Sequence, residues 1–150
     1  MPTITQATAA DIPALCELLT ILFSQEAEFT PDLQAQARGL ERIINNSEVG
    51  IVFVCKEEGR AVGMVNLLFT VSTALGETVA LLEDMVVAPS HRGSGAGSQL
   101  LSHAIAVAKQ QGCKRITLLT DADNADAQRF YARHGFARSD MIPLRLILEN

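Results

Sequence analysis

The sequence predicts a mixed α/β fold, and three of its features carry that expectation. Residues 51–88 hold three apolar, β-branched runs parted by short polar or glycine turns, the pattern of an antiparallel meander. Leu82 to Leu101 reads as a buried strand that stops at Pro89, crosses a glycine-rich turn and enters a helix. The helix over 95–111 leads to a strand over 115–120, and a strand-helix-strand connection of that length implies parallel pairing.

Taken in order, residues 3–7 alternate weakly and form a first strand. Thr8 or Asp11 can cap a helix whose apolar side carries Ile12, Leu15, Leu18, Leu19 and Leu22, with Pro13 tolerable in its first turn. Thr30 is the expected cap of a second helix with Pro31 at its first position, and Leu33, Ala37, Leu40, Ile43 and Ile44 keep helical spacing up to Asn45-Asn46. Between the helices, Glu26, Glu28 and Phe29 can reach a substrate or form a solvated loop. Ile51 to Cys55, the turn Glu57-Glu58-Gly59 and Val62 to Ser72 make a hairpin, and Thr78 to Ala88 adds a third strand. A helix over 124–134 ends at Gly135, and Phe136 to Leu148 makes two closing strands that meet at Met141-Ile142-Pro143.

The 150 residues suit one domain, and 48% hydrophobic with 19% charged content is that of a globular chain. No apolar run reaches the length of a membrane span, and Met1 to Gln6 lacks the features of a signal peptide, so a cytoplasmic protein with no membrane partner is expected. Cys16, Cys55 and Cys113 are odd in number and far apart, which suggests reduced core residues. His91, His103 and His134 show no spacing that converges on a metal, and none is expected. Residues 1–90 hold four Lys/Arg against twelve Asp/Glu, a balance of −8, whereas residues 91–138 hold seven against three, a balance of +4. Without a basic stripe or an aromatic stacking surface, nucleic acid is not an expected partner.

The turn offers an anion cradle. Gly93, Gly95 and Gly97 let backbone N–H groups converge, and the helix behind them points its positive dipole end at the same place, although a plain flexible turn has the same glycines. A P-loop would need lysine after the glycines, where this chain has Gly97-Ser98-Gln99. A dinucleotide fingerprint would need glycine where Ser98 stands. The pattern Arg/Gln-x-x-Gly-x-Gly/Ala is met by Arg92, Gly95 and Gly97, and Asn124, Ala127, Phe130, Tyr131, Gly135 and Phe136 form N-x-x-A-x-x-F-Y-x-x-x-G-F. In this order the two segments resemble the GNAT superfamily of acyl-CoA-dependent N-acetyltransferases, and the likeness covers essentially the whole chain.

That resemblance implies a central, mixed, largely antiparallel sheet of about seven strands flanked by four helices, and acetyl-CoA as co-substrate. It implies that Met85, Val86 and Val87 lie along the pantetheine and that Arg92, Gly93, Ser94, Gly95, Ala96, Gly97 and Ser98 hold the pyrophosphate. Asn124, Phe130 and Arg133 would border the cofactor, and Tyr131, the chain's one tyrosine, occupies the position of the general acid. Each has a plainer role as well: buried strand, helix cap or core. Glu83 is the candidate base, in a Leu82-Glu83-Asp84-Met85 context similar to that of the spermidine/spermine N-acetyltransferases, and equally reads as a strand-end carboxylate. Alternation sends Glu83 and Asp84 to opposite faces. The glutamate base of ribosomal-protein acetyltransferases would fall near Leu119, where there is none.

The expected reaction is direct transfer of acetyl to the primary amine of a small-molecule acceptor, cationic because residues 1–90 are acidic. A non-catalytic acyl-CoA-binding sensor on the same fold is the second reading. A homodimer, common in the family, and a monomer both stay open.

Overall fold

Strand runs and helix caps decide the order of elements in the computed structural model, which describes residues 2–26 and 30–149. Glu28 and Phe29, read as a solvated loop or as residues that can reach a substrate, lie outside them. The chain forms two compact units, Met1–Leu119 and Thr120–Asn150.

In the first unit β1 (Thr3–Gln6), β2 (Gly50–Glu57), β3 (Arg60–Ser72), β4 (Glu77–Val87) and β5 (Ile116–Leu118) make one sheet in the order β1-β2-β3-β4-β5. The first four strands pair antiparallel, and β5 pairs parallel with β4. The β2–β3 turn has Glu58 at φ 52° and Gly59 at φ 78°, the paired left-handed residues that suit a tight hairpin.

Thr8 and Asp11 both act at the start of α1 (Ile12–Gln25). The Thr8 N–H donates to Asp11 Oδ2 at 2.8 Å across a 3-10 turn, and Asp11 is the N-cap of α1. The cap of α2 (Leu33–Ile44) is Asp32 and not Thr30, because the Asp32 carboxylate accepts from the N–H groups of Gln34 and Ala35 at 3.1 and 3.2 Å. Pro31 therefore lies outside the helix. Gln36 joins the two helices: buried, it donates to the Cys16 carbonyl at 3.1 Å and to Thr20 Oγ1 at 3.2 Å, and its own carbonyl accepts from the Asp32 N–H at 2.9 Å.

The two faces of the sheet are covered by different helices. Leu15, Leu18 and Leu19 of α1 and Leu40 of α2 pack with Val52, Val54, Met64 and Val86. The alternate residues face α3 (Ala96–Gln110), with Phe53 edge-on to His103 at 5.2 Å and Gly63 under Leu100. A Cβ at Gly63 would lie 2.8 Å from Leu100 Cδ1, so a larger residue there would have to displace the Leu100 side chain. Cys16 and Cys55 are buried and Cys113 half-buried, and burial pushes all three thiols up.

The second unit holds α4 (Ala125–Arg133). The two closing strands expected over 136–148 do not form, so the described residues hold five strands, not about seven, with four α-helices. Apolar alternation suggested strands there. A strand also needs a partner ladder, and around Pro143, which has no N–H to donate, Met141, Ile142, Leu144 and Leu146 are exposed. Among the described residues no helix is long and apolar enough to cross a membrane.

Candidate active site

The parallel ladder between β4 and β5 ends at Leu82, ahead of the glycine turn. Its pairs are Ala80↔Ile116, Leu81↔Thr117 and Leu82↔Leu118, while β4 continues to Val87. Val86 and Val87 still pair with Met64 and Gly63 of β3 on the other side. The edge of Met85 to Val87 that faces away from β3 therefore has no ladder partner among the described residues. It can receive the amides of an extended ligand.

Past Val87 the chain makes a 3-10 turn, Pro89–His91, and then the turn of Gly93 at φ 80° and Gly95 at φ 90°. Both glycines are needed for these left-handed conformations. The Ser94 N–H donates to the His91 carbonyl at 3.3 Å, its hydroxyl donates to the same oxygen, and Arg92 Nε donates to the Val87 carbonyl at 3.4 Å. His91 lies between Ser90 Oγ, 2.8 Å from Nδ1, and Glu57, 3.2 Å from Nε2. Gly95 is the N-cap of α3 and supplies no side chain. The first-turn N–H groups of Ala96 and Gly97 thus have no intrahelical acceptor. A Cβ at Gly93 or Gly95 meets no atom within 4 Å, so the space over the turn is open. Open space, convergent donors and a helix N-terminus fit a pyrophosphate.

The two carboxylates behave differently from the alternation rule. Asn66 pairs with Glu83 and Met64 with Val86, so Val65 alone faces both Asp84 and Met85 in a β-bulge. Asp84 takes the left-handed φ of 56°, and its carboxylate Oδ2 accepts from Asn66 Nδ2 at 2.7 Å. Glu83 is exposed. Asp84 is half-buried and lines a cavity of about 260 Å³ between α1, α2 and the sheet. Burial first, then the charges of Glu83 and Glu26, push its carboxyl up to about 7 against the opposing hydrogen bond from Asn66. A second cavity, about 500 Å³, lies at the other end of the sheet beside Gln6, Ser47, Glu48 and Gln111, away from these groups. Sequence reading missed Asp84 and Asn66. The signal was Asn66 itself, a polar residue inside the apolar run Val62 to Phe69 and only 3% exposed.

The second unit holds the remaining expected residues. Asn124 is the N-cap of α4, its Oδ1 accepting from the Ala127 N–H at 3.1 Å. Tyr131 lies edge-on between Phe130 at 5.3 Å and Phe136 at 5.7 Å, and Arg133 stands 6.0 Å over the Phe130 ring. Burial pushes the Tyr131 hydroxyl up to about 12. Among the described residues no group of three or more His, Cys, Asp or Glu is placed to hold a metal.

An open strand edge running into a helix N-terminus gives the first unit a surface that can receive an extended ligand ending in phosphate. Residues 12–136 match the Acetyltransferase (GNAT) family, and the chain belongs to that family. A Bacillus subtilis (strain 168) protein described as uncharacterized N-acetyltransferase YhfO is 33% identical over 136 residues, 89% of this chain and 88% of its own. The aminoalkylphosphonate N-acetyltransferase of Salmonella typhimurium (strain LT2) is 29% identical over 133 residues, 89% of this chain and 83% of its own. A putative acetyltransferase from Agrobacterium tumefaciens str. C58 has the same fold, with a TM-score of 0.82 at 26% identity over 96% of this chain and 99% of that one. The chain is an acetyl-CoA-dependent N-acetyltransferase.

Proposed function

We propose that the protein moves an acetyl group from acetyl-CoA directly to the primary amine of a small cationic molecule, with residues 1–150 acting as one N-acetyltransferase domain. The family match from residue 12 to 136 runs through both units and supports the single domain. The observation that carries the reading is the β4 edge left open after Leu82, which leads without interruption into the turn at Gly93–Ser98.

Acetyl-CoA, when bound, supplies the activated acetyl thioester. Main-chain groups of Met85, Val86 and Val87 would orient its arm, and one N–H there would meet the charge that grows on the acyl oxygen. Arg92 and the N–H groups from Gly93 to Ser98 would hold the pyrophosphate. Asn124, Phe130 and Arg133 are proposed to contact the cofactor, and Tyr131 to give its proton to the departing sulfur. With its hydroxyl pushed up to about 12, Tyr131 keeps that proton at neutral pH. A carboxylate of the Glu83-Asp84 pair would take a proton from the acceptor, with Glu83 as the group that the sequence suggests.

The acidic balance of residues 1–90 supports a cationic acceptor. The Salmonella relative's name gives it an acceptor that pairs an amine with a phosphonate, so anionic amines belong in the test. A thiol-release screen over cationic, neutral and anionic amines is expected to favour cationic ones. Preference for anionic amines would overturn the charge argument and leave the enzyme class intact, while acetyl-CoA binding without thiol release from any amine would favour a sensor.

A further inference from the structure

The cavity between α1 and α2 has a chemistry that the acyl-transfer reading has not used. Its walls are apolar, from Leu19 and Phe23 of α1 and Leu40 and Ile43 of α2. Its charged lining is acidic: Asp84 of β4 and Asp32 at the start of α2, with no Lys or Arg among the described residues. Beside Asp84 stands Asn66, 97% removed from solvent, whose Oδ1 has no hydrogen-bond partner among the described residues. A buried amide oxygen without a donor is costly, so the site is short of an N–H group. An ammonium ion has three.

We infer that this cavity is the ammonium subsite of the acceptor, that Asp84 takes the proton there with Asn66 as its positioning partner, and that the subsite selects a primary amine on an unbranched, apolar stem. The inference rests on the acyl-transfer reading above and names its acceptor site. At about 260 Å³ the cavity falls just below the roughly 300–1,000 Å³ of most ligand pockets, room for a short chain and not for a multi-ring sugar. Asn66 suits both protonation states of its neighbour. Its Nδ2 donates to the carboxylate, and a half-turn of the amide lets Oδ1 accept from the acid.

Among the described residues the charges that act on Asp84 are acidic, Glu83 beside it on β4 and Glu26 after α1. They oppose loss of its proton, and an arriving ammonium favours that loss. A carboxyl near 7 is a better match than an ordinary carboxylate for an amine with a reference value of about 10.4. The protons balance. As the N–C bond forms and the C–S bond breaks, the nitrogen sheds two protons; the first passes to Asp84 and on to water, and the second balances the one that sulfur receives.

Gly39 gives a test that does not disturb the Asp84 carboxyl. It lines the cavity from α2, and a Cβ built there meets nothing within 4 Å, so Gly39→Leu adds apolar volume at the cavity wall from an unobstructed Cβ. The probes are n-butylamine, 1,5-diaminopentane and glucosamine. Binding is read from the side-chain amide resonances of Asn66, which need no turnover, and turnover from thiol release between pH 5.5 and 9.5. The expected result is that the two unbranched amines shift the Asn66 resonances and glucosamine does not. Asp84→Asn and Gly39→Leu should each weaken amine binding about tenfold or more with acetyl-CoA affinity held within about twofold, and Asp84→Asn should lower kcat/KM by about 10²-fold and remove its limb near pH 7. Unshifted Asn66 resonances, a limb that survives Asp84→Asn, or its loss in Glu83→Gln alone would overturn the inference while amine turnover kept the enzyme reading. Resonance shifts abolished by Asp84→Asn, with no amine ever acetylated, would uphold the subsite and sink the acyl-transfer reading.

Discussion

Asp84 sets stability against function. Burial, Glu83 and Glu26 raise its folded value from 3.8 to about 7, so in that pH window the folded chain holds a proton that the unfolded chain has lost. Stability contributed by this group is therefore greatest below pH 4 and falls as pH rises towards 7. Asp84→Asn removes the titration and keeps a residue that tolerates φ 56°. It is expected to stabilise the protein by about 1–3 kcal/mol more at pH 8 than at pH 4. Urea unfolding at the two pH values checks this, and equal effects at both would show that the carboxyl titrates normally. Tyr131 gives a contrasting case. Tyr131→Phe keeps the ring contacts to Phe130 and Phe136, so stability should change little. If the hydroxyl supplies the proton to sulfur, kcat should fall by about 10²-fold with acetyl-CoA affinity unchanged. With the hydroxyl near 12, no basic limb from this group is expected below pH 11, and one between 8 and 10 that vanishes in Tyr131→Phe would contradict that value.

At the scale of elements, what the sequence revealed depended on whether an element is specified locally. Helix α3 and its glycine turn were legible because Pro89, the three glycines and the apolar stripe from Leu100 to Ala108 act within a few residues of one another. The cap of α2 was displaced by two residues because Thr30-Pro31 resembles a helix start, while the Asp32 carboxylate makes the two capping bonds. The β4 bulge was not legible. Alternation assumes an unbroken ladder, and the shift between Met64 and Asn66 depends on a partner strand distant in sequence. That one slip hid the candidate base at Asp84 behind Glu83. Residues 136–148 failed as strands for the related reason that pairing is not local. Gly95 supports a test at this scale. At φ 90° with open space around its Cβ position, Gly95→Val should cost about 1–2 kcal/mol in backbone strain yet still fold. The added side chain would stand over the α3 terminus, so acetyl-CoA binding measured by calorimetry should weaken about tenfold or more. Unchanged affinity in the folded variant would mean that the phosphates lie elsewhere.

For the whole molecule, the uneven charge distribution separates two kinds of attraction that a single rate would mix. Residues 1–90 carry four cations against twelve anions, and a field of that size steers a cationic acceptor from a distance. Steering acts on encounter and is screened over about 8 Å at physiological ionic strength, whereas contact with half-buried Asp84 is screened far less. Raising salt from about 20 to 300 mM should therefore lower kcat/KM for 1,5-diaminopentane several-fold and leave kcat nearly constant. n-Butylamine, with one charge in place of two, should show about half the slope in log kcat/KM against the square root of ionic strength. A neutralising substitution far from the cavity, such as Glu77→Gln at the start of β4, should reduce both slopes slightly with little effect on the rate at high salt. Asp84→Asn should do the reverse, lowering the rate at every salt concentration. If the diamine's kcat/KM instead rose with salt, the field at the acceptor site would be positive, and the acidic balance of residues 1–90 would lie on surfaces that the acceptor never meets.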